Sequence, residues 1–195
     1  MTKWLVFLLE EPSIKAMLEG FLPTIAGDDA FLAVQYMVFE GKQDLEKNLV
    51  RRLRHWNRPG PVRFVVIRDQ DAEDCVAVKA RLRGMCEAAG YPDALVRIAC
   101  RELESWFLGD LAAVERWLGL KGVARQQRKE KYRDPDRLID PKRELRILTD
   151  NAYQAVQGSR RIGPHLHLTD NISHSFNVFV SGLGRHLERL RAAGG

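Results

Sequence analysis

The stretch Val62-Arg63-Phe64-Val65-Val66-Ile67-Arg68-Asp69-Gln70-Asp71 decides the fold. Its Val/Ile/Phe run has the character of a buried parallel strand, and it stops abruptly at two aspartates separated by one residue. In open α/β sheets, ligands bind beyond the carboxyl ends of the strands. Two acids crowded there repel each other, and a divalent cation relieves that repulsion. The pair points to a hard-metal site if other acids converge on it.

Working outward, Trp4 to Leu9 reads as a first strand, followed by Glu10-Glu11-Pro12-Ser13 and a helix marked by Ile14, Met17, Leu18 and Phe21. A second strand runs from Phe31 to Phe39 and is closed by Glu40-Gly41-Lys42. Leu45, Leu49, Leu53 and Trp56 make a second helix, with Asp44 as its expected cap and Pro59-Gly60 as its stop. After the 62–67 strand, Val78, Leu82, Met85 and Ala89 mark a third helix, and Val96 to Ala99 a short fourth strand. That strand leads into Glu102 and a helix carrying Leu103, Trp106, Phe107 and Leu111, which Gly109-Asp110 breaks and recaps. Such strict alternation predicts an α/β fold: a mostly parallel sheet with right-handed crossovers and helices on both faces.

Residues 1–120 form this expected core. Residues 121–142 change character, being basic with Asp-Pro at 134–135 and 140–141, and read as a loop or linker. Residues 143–195 read as a helical extension, its last helix marked by Phe176, Phe179, Leu183, Leu187 and Leu190 at a spacing that suits packing on the core.

With 195 residues, 45% hydrophobic and 29% charged, the composition is that of a globular domain with a substantial core. The Trp4–Leu9 run is too short for a membrane span and lacks the flanks of a signal peptide, so a cytoplasmic protein is expected. Cys75, Cys86 and Cys100 have no close-pair zinc spacing and read as reduced thiols. The net charge of +5 permits a polyanionic partner. Basic residues gather at Arg51, Arg52, Arg54, His55 and Arg58, and again at 121–137, either as solvated faces or as a phosphate-binding surface.

Parallel strands deliver their ends to one edge, which here receives Glu10, then Asp69 with Asp71, then Glu102 or Glu104. Glu104 shares a helical face with Phe107, Leu108 and Leu111 and is expected to point inward, whereas Glu102 stays solvated. A carboxylate on a packing face needs a partner or a metal. The cluster suits Mg²⁺ or Mn²⁺, which prefer oxygen ligands. Lys42 follows the second strand onto the same edge, either to touch a phosphate or as an ordinary surface lysine.

These residues resemble the Toprim domain, the metal-binding module of topoisomerases, bacterial primases and OLD-type nucleases. Glu10 matches its glutamate after the first strand, and Asp69-Gln70-Asp71 its Asp-x-Asp pair. The family's glutamate is usually followed by glycine, where this chain has Glu11. Most of the chain also resembles uncharacterised Toprim-like bacterial proteins often encoded beside ATPases, some in phage-defence islands. Leu9-Glu10-Glu11-Pro12-Ser13, Gly41-Lys42-Gln43-Asp44-Leu45, Asp69 to Cys75, Arg101 to Trp106 and Asn171-Ile172-Ser173-His174-Ser175-Phe176 carry that likeness. It implies a Toprim-like fold and a Mg²⁺-dependent nuclease acting on DNA or RNA. Glu10, Asp69, Asp71 and Glu104 would hold the metal, and Lys42 would contact phosphate. The alternative is a non-catalytic binding partner of a separately encoded ATPase.

Other motifs are read as structural. Ser173 is expected to cap the last helix rather than serve the site. His165-Leu166-His167 lacks a third metal ligand, and Trp56, Trp106 and Trp117 fall on apolar helical stripes. Neither a Walker-type phosphate loop nor a nucleophile elbow occurs.

Overall fold

The four apolar runs become four strands, all paired in parallel in the order β2-β1-β3-β4, in a computed structural model that describes residues 1–27, 30, 32–119 and 121–193. The strands are β1 (Lys3–Leu9), β2 (Leu32–Val38), β3 (Val62–Asp69) and β4 (Leu95–Ala99). Phe31, expected to open the second strand, lies outside the described residues. The intervening helices are α1 (Pro12–Ala26), α2 (Lys42–Arg54) and α3 (Cys75–Ala88). Then come α4 (Glu104–Leu108), α5 (Leu111–Leu118), α6 (Pro141–Leu148), α7 (Ala155–Ile162) and α8 (His174–Ala192).

Period-two alternation sorts each strand's side chains onto two faces. Leu5, Phe7, Leu9, Val65 and Ile67 pack with α1, α4, α5, α7 and α8. Val6, Leu8, Phe64, Val66, Val96 and Ile98 pack with α2 and α3. Helices thus cover both faces, and β1 and β3, paired on both sides, carry near-continuous buried runs. Among the described residues no helix is long and apolar enough to cross a membrane.

Beyond β4 the chain stays on the α1 side. Phe176, Phe179, Leu183, Leu187 and Leu190 of α8 are buried, with Phe179 stacked on Trp106 at 4.9 Å. Ser173 caps α8 by accepting from Phe176 N at 3.2 Å, as its position predicts. Asp110 likewise recaps the chain at α5, accepting from Ala113 N at 3.1 Å. Asp44, by contrast, sits inside α2 and accepts from Glu40 N at 3.1 Å, because Gly41 takes the capping position.

The basic segment is more ordered than its composition suggests. It forms short 3₁₀ turns at Ala124–Arg128, Glu130–Tyr132 and Pro135–Arg137 and buries Val123 and Tyr132. Gln127 pins it to the core, donating to Leu108 O at 3.0 Å and accepting from Leu111 N at 2.9 Å.

The helical extension meets α1 at a backbone approach that leaves no room for a side chain. A Cβ on Gly163 would fall 2.4 Å from Met17 O. Since α1 backbone cannot yield as a side-chain tip can, Gly163→Ala should cost about 1–3 kcal/mol of stability by overpacking. The denaturant midpoint should fall with the slope unchanged; an unshifted midpoint would show that α1 and the 163 turn do not pack this closely.

Candidate functional site

The sheet order sets the site. From β1 the chain crosses outward to β2, and from β3 it crosses the other way to β4, so β1 and β3 are neighbours whose connections diverge. The crevice beyond their carboxyl ends is the topological switch point of an open parallel sheet. Leu9 pairs with Ile67, which brings Glu10 and Asp69 to the mouth of this crevice. There the two strand ends are tied: Glu10 N donates to Ile67 O at 3.2 Å, and Asp69 N donates to Glu10 Oε2 at 2.9 Å.

Alternation then sets the side that Asp69 faces. Asp69 follows Val65 and Ile67 onto the α1 side, where Glu104 and Glu11 are its acidic neighbours. Glu104 is fully buried, as its helical phase predicts. Its Oε1 accepts from Tyr153 Oη at 2.9 Å and lies 3.7 Å from Lys142 Nζ. Glu104 Oε2 and Asp69 Oδ1, however, are buried with no hydrogen-bond partner among the described residues. Glu11 accepts from Ser13 Oγ at the start of α1.

Burial governs the protonation of these groups. It pushes Asp69 well above the usual carboxylate range, and Glu11, Glu104 and Glu10 add to the push while Lys142 opposes it. Glu104 is raised to about 7, again chiefly by burial, with Lys142 and the Tyr153 hydroxyl pulling the other way. Glu10 is raised by burial, offset in part by the Asp69 amide. Burial alone would depress Lys142, but Glu104, Glu11, Glu102 and Asp69 together reverse this and lift it.

Asp71 takes the opposite side. It adopts φ 56° and faces Arg101, which has φ 63°; Asp71 N donates to Arg101 O at 2.8 Å. Gln70 clamps this turn by accepting from Arg101 N at 3.0 Å and donating to Glu73 O at 2.9 Å. The turned backbone carries the Asp71 carboxylate to Lys42, 2.7 Å away, and its charge reaches Glu10. Lys42, the first residue of α2, stands on the acid edge as its position predicts, and also lies 3.7 Å from Glu73.

Glu10, Asp69, Asp71 and Glu104 therefore form two groups joined through Glu10, with Asp69 and Glu104 on one side and Asp71 with Lys42 on the other, rather than one closed cage. Among the described residues no set of three or more His, Cys, Asp or Glu side chains stands at metal-holding geometry. The donor set nonetheless suits a hard divalent cation. It is all oxygen, and two of its buried oxygens have no hydrogen-bond partner.

Residues outside the sequence expectation complete the site. Arg68 is fully buried on the α2 side, paired with Glu46 and Glu73 and 3.8 Å from Glu10 Oε2. A charged residue inside a buried strand run must be paired, and that was its signal. Lys142 comes from the end of the basic segment and Tyr153 from the extension, and neither has a periodic signature. Glu102, expected to stay solvated, is half-buried and accepts from Lys142 N at 2.9 Å, which holds the amino end of α6 over the crevice. The Asn171–Phe176 motif serves the site indirectly: Asn171 donates to Trp106 O at 2.8 Å and Ser175 accepts from Trp106 Nε1 at 2.9 Å, fixing the helix that carries Glu104. His167 pairs with Asp110 at 2.9 Å, and Cys100 is pushed up to about 12 chiefly by burial, so neither joins the crevice as ligand or nucleophile.

A raised carboxyl pKa means that the folded chain holds the proton more tightly than the unfolded one. The Glu104 contribution to stability is thus full below its ordinary value of 4.5 and is lost as pH rises through about 7. Without added divalent cation, stability should decline across that window, and Glu104→Gln should flatten the decline and be more stable above it by up to about 3 kcal/mol. Denaturant titrations from low to neutral pH check this; a variant that declines as steeply as the parent contradicts it.

No curated protein and no solved structure matches the chain. The profile of one family does, over residues 9–184, which spans every crevice residue described above. The chain belongs to the family described as Domain of unknown function (DUF4276).

Proposed function

We propose that the crevice is the centre of a divalent-cation-dependent phosphodiesterase, of Toprim-like type, that cleaves DNA or RNA. The observation that carries this reading is the pair of buried carboxyl oxygens, Asp69 Oδ1 and Glu104 Oε2, with no hydrogen-bond partner among the described residues, at the mouth of a parallel sheet. Unpaired buried charge is costly, and Mg²⁺ or Mn²⁺ is the counter-ion that oxygen ligands select. Asp69, Glu104 and Glu10 would hold the cation, with Asp71 reaching it directly or through water. When bound, it would lower the pKa of a water and neutralise phosphodiester charge.

The chain's own groups have distinct tasks. Tyr153 donates to Glu104 and fixes its rotamer. Glu10 accepts from the Asp69 amide and so fixes the spacing of the two strand ends. Lys42 and Lys142 bring ammonium groups to the same edge, where non-bridging phosphate oxygens would accept from them. Basic residues of 121–137 add positive charge for a polyanion beside α6.

A second reading, a docking component for a separately encoded ATPase, draws on a different feature. Ile139 and Ile147 are 89% and 60% exposed beside Lys131, Arg137 and Arg143, around a cleft of about 640 Å³. Apolar surface rimmed by charge marks interaction sites. The apolar face of α8 does not contribute, because it is buried on the chain's own sheet.

Cleavage of single- and double-stranded DNA and RNA with Mg²⁺, Mn²⁺ or EDTA separates these readings. Divalent-dependent cleavage is expected, with Asp69→Ala at least about 100-fold slower and its circular dichroism unchanged. Cleavage that persists in Asp69→Ala rules out the phosphodiesterase centre. Absence of turnover by the chain and by its ATPase assembly, with stable co-purification of the two, favours docking.

A further inference from the structure

The edge of the sheet at β4 carries positive charge that no carboxylate pairs with among the described residues. Arg97, midway along β4, sends its side chain beneath α8 at Gly182, where a Cβ would fall 2.5 Å from Nη2. Its Nε donates to Val178 O at 3.2 Å and its Nη1 to Val96 O at 2.8 Å; both acceptors are neutral. Burial, then the charges of Arg185 from α8 and Arg83 from α3, hold this guanidinium below its ordinary pKa. Toward the amino end of β3, His186 is buried and faces Arg63, Arg189 and Arg97. Its Nε2 and the Arg63 Nε are both buried without a hydrogen-bond partner among the described residues.

This is not how the chain treats its fully buried arginine. Arg68 is paired with Glu46 and Glu73 on the opposite face. Among the described residues, none of Arg63, Arg83, Arg97, Arg185 and Arg189 forms an ion pair with a carboxylate. Guanidinium groups gathered at a partly buried edge repel one another unless an anion lies among them.

Their layout says which anion. Arg83 comes from the helix on one face of the sheet and Arg185 from the helix on the other, so exposed charges flank the partly buried Arg97 from both faces. Arg97 itself lies near the crevice. Asp69 pairs with Ala99, and Arg97 is two residues behind it, about 6.6 Å along the strand. Arginines grouped beside a phosphodiesterase centre match the spaced charges of a nucleic-acid backbone.

We propose that the β4 edge, with Arg97 at its centre and Arg83 and Arg185 on either side, binds the phosphodiester backbone of the nucleic acid beyond the point of cleavage. The proposal rests on the reading of the crevice given above. Binding is therefore measured in EDTA, where cleavage does not enter.

The test uses the full chain, fluorescent DNA and RNA duplexes of about 20 base pairs, and Arg83→Glu/Arg185→Glu, both exposed positions. Arg51→Glu/Arg52→Glu on α2 is the control matched in charge. The edge pair should weaken binding at least about tenfold and lower the salt slope by about two, while the control changes Kd by less than about threefold. Equal loss from both pairs, no loss from the edge pair, or no binding of either duplex by the parent overturns the proposal. Edge-dependent binding without divalent-dependent cleavage leaves the track standing and removes the phosphodiesterase reading. Cleavage without edge-dependent binding does the reverse.

Discussion

Asp69 ends β3 with a carboxyl oxygen that is buried and has no hydrogen-bond partner among the described residues, and that burial constrains what the fold places around it. The parallel sheet forces the position, because β1 and β3 are register-locked neighbours that release Glu10 and Asp69 within one position of each other. Isolated ionised carboxylates are among the costliest groups to bury, so a chain that places Asp69 and Glu104 together must protonate them or supply positive charge. Both remedies are visible: the raised pKa of each acid, and Lys142 brought in by the first turn of α6.

That arrangement ties the carboxyl-terminal part of the chain to the acid edge. Glu102 holds the amino end of α6, α6 delivers Lys142, and Tyr153 reaches Glu104 from the turn that follows. Behind them, Asn171 and Ser175 grip Trp106 in the helix that carries Glu104. On the opposite face Arg68 joins β3 to Glu46, Glu73 and Glu10, so the acids of that side are largely neutralised within the fold. The contrast between a balanced face and an unbalanced one directs attention to Asp69 and Glu104.

Much of this was legible in the residues. Strand runs that stop at acids announce an acid edge once the alternation of strand and helix implies a parallel sheet, and the phase of Glu104 with Phe107 and Leu111 placed it inward. What escaped was whatever depends on long-range packing. Lys142 looked like any lysine in a basic stretch, Tyr153 lay outside any periodic pattern, and Arg68 was absorbed into its strand. Glu102 departs from its solvated expectation because it meets the amino end of a helix 40 positions later. Asp44 differed for a local reason: Gly41, at φ 90°, makes the turn into α2 and leaves the acid inside the helix.

The central claim is that these carboxylates converge to receive a cation. The most direct measurement is an anomalous difference map from crystals of the full chain soaked in Mn²⁺. The account predicts a peak bonded to Asp69 and Glu104, with Glu10 oxygens in its coordination sphere. A map without density there at saturating Mn²⁺, with Lys142 still beside Glu104, would contradict it.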